Sequence, residues 1–142
     1  MLTSPSTEQP SPAASPLLEI ANTMVHLYKD TFGRGPSKAR AQFSGPDTLV
    51  VLLTDMMTIA ERQLMALGEH DRVREQRLFL QLALEDKKRS EVERILRRRA
   101  LACVSGTDPD HDLAAEVFLL EPHPAGNERH ACADGAVMRT AP

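Results

Sequence analysis

The chain has no tryptophan, one tyrosine and four phenylalanines, an aromatic content of 4%. Few side chains are therefore available to stack on nucleic-acid bases. It has two cysteines, Cys103 and Cys132, too few for a disulfide framework, which points to a reducing compartment. No apolar run approaches the ~20 residues that span a bilayer. The N-terminus carries no basic segment followed by an apolar one, so neither a membrane span nor a signal peptide is expected. The formal net charge is −3, which supplies no global basic field for nucleic acid. These absences predict a cytoplasmic protein that neither spans a membrane nor binds nucleic acid.

What remains suits one folded domain: 142 residues, 42% hydrophobic and 26% charged. Seven of the ten prolines fall before residue 17 or after residue 121, bracketing a single core. Residues 1–15, rich in Ser, Thr and Pro, read as a disordered arm, 16–122 as the domain, and 123–142 as a flexible tail.

Ser15-Pro16 is a helix start, with serine as N-cap and proline in the first turn. Leu17, Ile20, Ala21, Met24, Leu27 and Tyr28 follow at helical spacing as far as Phe32. Gly33 suits the left-handed cap position, and Pro36 cannot continue a helix. Ser37–Phe43 alternates as a strand, Gly45-Pro46-Asp47 is a turn, and the valine-rich run Leu49–Leu53 reads as a central strand. The Val50 and Leu52 side of that strand is expected to meet a helix.

Thr58-Ile59-Ala60-Glu61 is a capping box opening a short helix that closes at Gly68. A longer helical region runs from about His70. Ser90-Glu91-Val92-Glu93 looks like a second capping box, so a break and restart are expected near Asp86. Arg97–Arg99 would occupy the last turn, where cations suit the helix dipole. Ala100–Ser105 and Leu113–Leu120 read as two further strands around a Gly106–Asp110 loop. The predicted fold is α+β: a two-layer sandwich in which two hairpins form a four-stranded, mainly antiparallel sheet with helices on one face. Its unprotected hairpin edges favour strand addition and a twofold homodimer.

Candidate sites are few. Asp108, Asp110 and Asp112 alternate like the start of a calcium loop. Leu113 and Leu119 stand where an EF-hand needs glycine and glutamate, so a polar hairpin loop is expected. His123, His130 and Cys132 match no zinc spacing, and His111 beside Asp112 has no nucleophile to serve. Cys103 lies in an apolar strand and reads as a core residue. Lys87, Lys88, Arg89 and Arg94 interleave with Glu85, Asp86, Glu91 and Glu93, the pattern of a solvated, salt-bridged face. No catalytic residue, cofactor or metal is predicted, and the chain is not expected to be an enzyme. The most suggestive cluster is Gly33-Arg34-Gly35-Pro36 with Tyr28, Lys29, Lys38 and Arg40. A glycine-lined turn beside cations suits a small anion or a partner, although it lacks the spacing of a phosphate-binding loop.

The same residues carry a family resemblance. Val25-His26-Leu27-Tyr28-Lys29 through Gly33-Arg34-Gly35-Pro36 resembles the opening of the MpsC-like family, small bacterial domains named for association with a sodium-translocating, membrane-potential-generating system. The likeness continues through Leu49–Leu53, Thr58–Glu61, Asp71-Arg72-Val73-Arg74 with Arg77, and Asp112 through Leu120, spanning about Leu17 to Pro122. It implies a non-enzymatic accessory or regulatory role with a protein partner at a sodium-dependent membrane-potential or ion/bicarbonate transport system. A chain with no membrane span could not translocate an ion alone. The alternative is a small-anion or nucleotide sensor using the Gly-Arg-Gly-Pro turn.

Overall fold

Local chemistry sets the boundaries of the first helix. In the computed structural model, which describes residues 15–122, helix α1 spans Pro16–Phe32, and the Ser15 hydroxyl accepts from the Leu18 N–H at 3.2 Å. Gly33 closes it at φ +81°, donating to the Lys29 carbonyl at 2.9 Å. The expected arm and tail, with His123, His130 and Cys132, lie outside the described residues.

Strands β1 (Lys38–Phe43) and β2 (Thr48–Thr54) form the first hairpin. Helix α2 (Ile59–Ala66) starts on the Thr58–Glu61 capping box, with both reciprocal bonds formed. Helices α3 (His70–Ala83) and α4 (Glu85–Leu96) meet at Leu84. Strand β3 (Ala100–Asp108), a 3-10 turn (Pro109–His111) and strand β4 (Leu113–Leu120) complete the domain. The sheet order is β1-β2-β4-β3 and every pairing is antiparallel, giving the expected α+β architecture.

Register assigns the two faces of the sheet. One face carries the rows Ala39–Leu53–Ala114–Thr107, Ala41–Val51–Glu116–Ser105 and Phe43–Leu49–Phe118–Cys103. Leu49, Val51, Leu53 and Phe118 of these rows are fully buried beneath Ile20 and Met24 of α1 and Val92 of α4. Each fully buried side chain of this kind contributes ~1.5–3 kcal/mol. The Val50 and Leu52 side of β2 therefore does not meet the helices, contrary to expectation. Both sides of β2 are apolar, so alternation does not choose between them; the helices cover the other one. Val50 and Leu52 share the opposite face with Leu113, Ala115, Val117, Leu119 and Val104. There Val104 is 66% and Leu119 47% exposed.

Three further expectations are corrected. Ser90 lies inside α4, because the chain already restarts at Glu85. Arg97 is the C-cap at φ +53°, so the arginine run follows the helix rather than forming its last turn. There Arg98 bonds Asp47 and the carbonyls of Pro46 and Glu121. Strand β3 continues past Ser105, pairing Gly106, Thr107 and Asp108 with Ala115, Ala114 and Leu113. The chain reverses one step later, at Pro109–His111, with Asp112 in the left-handed region.

Candidate functional site

Strand β4 places a glutamate in the middle of an apolar run, on the face covered by the helices. A buried carboxylate must be satisfied by hydrogen bonds and counter-charge, and Glu116 has both. Its Oε1 accepts from the Tyr28 hydroxyl of α1 and from Gln81 Nε2 of α3 at 3.2 Å. Its Oε2 accepts from the Ser105 hydroxyl of β3 and faces Lys88 Nζ of α4 at 2.8 Å. Lys88 also reaches Ser105 Oγ at 2.9 Å, and Gln81 donates to Tyr28 Oη at 3.0 Å and to the Gly106 carbonyl at 3.1 Å. One side chain thus ties three helices and an edge strand to the centre of the sheet.

Lys88 and Glu116 side chains are both 0% exposed, so Lys88 does not belong to the solvated face expected of α4. Its neighbours do match that expectation: Arg89 pairs with Glu85 and Arg94 with Glu91. Burial, and secondarily the Glu116 carboxylate, raises the Tyr28 phenol far above its ordinary pKa. Cys103, 3.9 Å from Glu116 Oε2, is pushed up to about 11, chiefly by burial. That is the environment of an unreactive core thiol.

A second buried pair joins α2 to α3. Arg77 grips both oxygens of Glu61, reaches the Met56 carbonyl at 3.2 Å, and lies 5.2 Å from the centroid of the Phe32 ring. Glu61 is the same residue that closes the capping box, so helix start and ion pair share one carboxylate. Asp112 turns inward and accepts from the Met56 and Met57 N–H groups, each at 3.1 Å. Asp108 instead caps Asp110 N and meets His111, while Asp110 pairs with His70. The three aspartates diverge to separate partners. Among the described residues no group of three or more His, Cys, Asp or Glu is placed to hold a metal ion.

The Gly-Arg-Gly-Pro turn lies against the end of α1. A Cβ on Gly35 would stand 3.1 Å from the Val25 carbonyl oxygen and 3.2 Å from Lys29 Cβ, so glycine lets the turn sit on the helix. Pro36 is buried and Lys29 exposed. Arg34, its side chain 41% exposed, donates to the Met57 carbonyl at 2.8 Å and to Asp55 at 3.2 Å. The Asp55 carboxyl lies below its usual range, first through the Ser37 hydroxyl and then through Arg34, Arg62 and Lys38. A carboxylate of the chain thus occupies part of the guanidinium that an anion would use.

Lys38 and Arg40 project from edge strand β1 on the sheet face opposite the helices. With Leu52, Thr54 and Leu113 they line an open cavity of about 350 Å³. The structure therefore ties Arg34 of the turn to Asp55 and seats Gly35 against α1. Lys38 and Arg40 form a separate basic edge, and Tyr28 lies fully buried beneath the sheet. No sequence spacing reveals the polar interior, whose one signal is a lone glutamate inside the apolar run 113–120.

Fold and interior define a class: a small α+β domain whose helices are bound to one side of an open sheet by buried charge. No helix among the described residues is long and apolar enough to cross a membrane. The chain belongs to the MpsC family: the family model described as Na+-translocating membrane potential-generating system (MpsC) matches residues 17–122. No curated protein and no solved structure matches it.

Proposed function

We propose that the chain works by binding, not by catalysis, as an accessory or regulatory module of a sodium-dependent membrane-potential or ion/bicarbonate transport system. Family membership supports the link to such a system. The observation that carries the binding role is the use made of the polar interior. Tyr28, Gln81, Lys88, Ser105 and Glu116 bond to one another and to the Gly106 carbonyl, with Gln81 Oε1 left unpaired among the described residues, and Glu61 and Arg77 bond to each other, to the Thr58 N–H and to the Met56 carbonyl. The groups left to meet a partner are on the surface, where the half-exposed Arg34 is presented from a turn fixed by Gly35 and Pro36, beside exposed Lys29. Affinity purification of the full chain from its native host tests this. Subunits of an ion or bicarbonate transporter should co-purify, and their absence from the captured proteins would argue against the reading.

A second reading is a small-anion or nucleotide sensor. It is favoured by the cavity between Lys38 and Arg40, where two cations flank a wall of Leu52 and Leu113. Thermal stabilisation by inorganic phosphate or a nucleotide, lost in Arg40→Ala, would support it over the accessory role.

A further inference from the structure

The sheet face turned away from the helices is apolar at its centre and charged at its edges. Its rows, read from the strand register, are Lys38–Thr54–Leu113–Asp108, Arg40–Leu52–Ala115–Gly106 and Gln42–Val50–Val117–Val104, followed by Thr48–Leu119–Ala102. Among the described residues no helix covers it, and Val104 is 66% exposed. Lysine and aspartate stand at opposite ends of one row: Lys38 on edge strand β1 and Asp108 on edge strand β3.

We propose that a second copy of this chain covers the face, packing sheet on sheet about a twofold axis parallel to the strands. That axis lays β1 over the β3 of the second copy without exchanging the rows. Lys38 of each copy then faces Asp108 of the other; between them Val50 meets Val117 and Leu52 meets Ala115, while Val104 covers Gln42 beside Arg40. Packed sheets stand about 10 Å apart, a gap that a lysine and an aspartate bridge from opposite sides. The Asp108 carboxylate, which meets His111 and the Asp110 N–H, keeps 42% of its side chain exposed for this contact. The other face-to-face twofold, perpendicular to the strands, stacks β1 on β1 and crowds Lys38 and Arg40 of both copies along one edge, which like charges oppose.

The chain's own ends are poorer occupants. Beyond alanine and proline, residues 1–14 offer only Met1 and Leu2 as apolar side chains, and residues 123–142 only Cys132, Val137 and Met138. Neither supplies the apolar side of a strand.

Size sets the strength. Four strands seven residues long make a face of about 450 Å² from strand spacing and rise, so two copies bury about 900 Å², within the range of weak, reversible interfaces. The dimer should therefore form and dissociate with concentration. The inference goes beyond the accessory role and needs no transport partner, so the isolated full chain tests it without testing that role.

Sedimentation between about 1 and about 100 µM, the span over which an interface of this size dissociates, should show the mass rising from 15.7 kDa toward twice that value. Val104→Lys, an exposed edge-strand substitution, should hold the chain monomeric at the highest concentration, with a melting temperature equal to the parent's at the lowest concentration, where both are monomers. Carbodiimide coupling followed by peptide mapping should join Lys38 to Asp108 in the dimer band alone. Within one copy these residues lie three strands apart, about 14 Å, too far for a zero-length link. A monomer throughout, a dimer indifferent to Val104→Lys, or coupling of Lys38 to Glu128 or Asp134 of the same chain would each overturn the proposal.

Discussion

Replacing Glu116 by glutamine keeps the shape of the central side chain and removes its charge. The amide oxygen can still accept at one of the two carboxylate positions, but the NH2 at the other cannot, and Lys88 then has no counter-charge within the 2.8 Å contact it now makes. Both side chains are 0% exposed, so water does not stand in for the lost partner. Breaking a buried pair by removing one member costs ~3–5 kcal/mol. That is a large share of the ~5–15 kcal/mol that stabilises a domain. At ~4 °C per kcal/mol for a domain near this size, Glu116→Gln should melt about 12–20 °C below the parent. Lys88→Met, which strands the carboxylate instead, should cost a similar amount. The double variant discriminates: with both charges gone, it should melt above either single variant, with a coupling energy of at least ~2 kcal/mol. Thermal and urea unfolding followed by circular dichroism measure all four proteins. A Glu116→Gln protein melting within ~3 °C of the parent, or singles that simply add, would refute the role assigned to this pair.

Arg77→Lys keeps the charge opposite Glu61 but loses the two-pronged grip and the bond to the Met56 carbonyl, so urea unfolding should show a loss of ~2–3 kcal/mol. Gly35→Ala drives a methyl to within 3.1 Å of the Val25 carbonyl oxygen and should cost ~1–3 kcal/mol by the same measurement. Gly33→Ala meets no atom but adopts φ +81°, so it should lose ~1–2 kcal/mol through backbone strain alone. Burial raises the Cys103 pKa to about 11, so the thiolate is scarce until the pH climbs toward that value. In a Cys132→Ser background, alkylation of Cys103 at pH 8 should run roughly 100-fold slower than for a thiol of pKa ~9, and a rate equal to a free thiol would contradict its placement.

Much of the backbone was legible because its signals are local. Ser15-Pro16, Gly33, the Thr58–Glu61 box and Gly68 mark ends within a few residues, and the structure places helix boundaries at each. The strand Leu113–Leu120 is bounded as expected. Gly106-Thr107-Asp108 misled because its residue types favour turns, yet pairing with Leu113–Ala115 holds it extended. The faces of β2 were undecidable from β2 itself, since Leu49, Val51 and Leu53 are no more apolar than Val50 and Leu52. The polar interior was the least legible part. Tyr28 and Glu116 are 88 positions apart, and Gln81, Lys88 and Ser105 come from three further elements, so no spacing links them. Lys88 was hidden among surface-type neighbours and distinguished only by the face of α4 it occupies.

The proposed accessory role is tested most directly at Arg34, the one guanidinium of the glycine-rich turn. Arg34→Ala leaves the Met57 carbonyl without its 2.8 Å donor, a cost of ~0.5–1.5 kcal/mol, small enough for the domain to stay folded. The decisive measurement is quantitative recovery of transporter subunits on immobilised parent and Arg34→Ala chains, with each melting temperature recorded alongside. If Arg34 meets the partner, the Arg34→Ala protein stays folded, its melting temperature lowered by a few degrees, and captures at least tenfold less, a loss of ~1.4 kcal/mol in binding. A folded variant that recovers as much as the parent would contradict it.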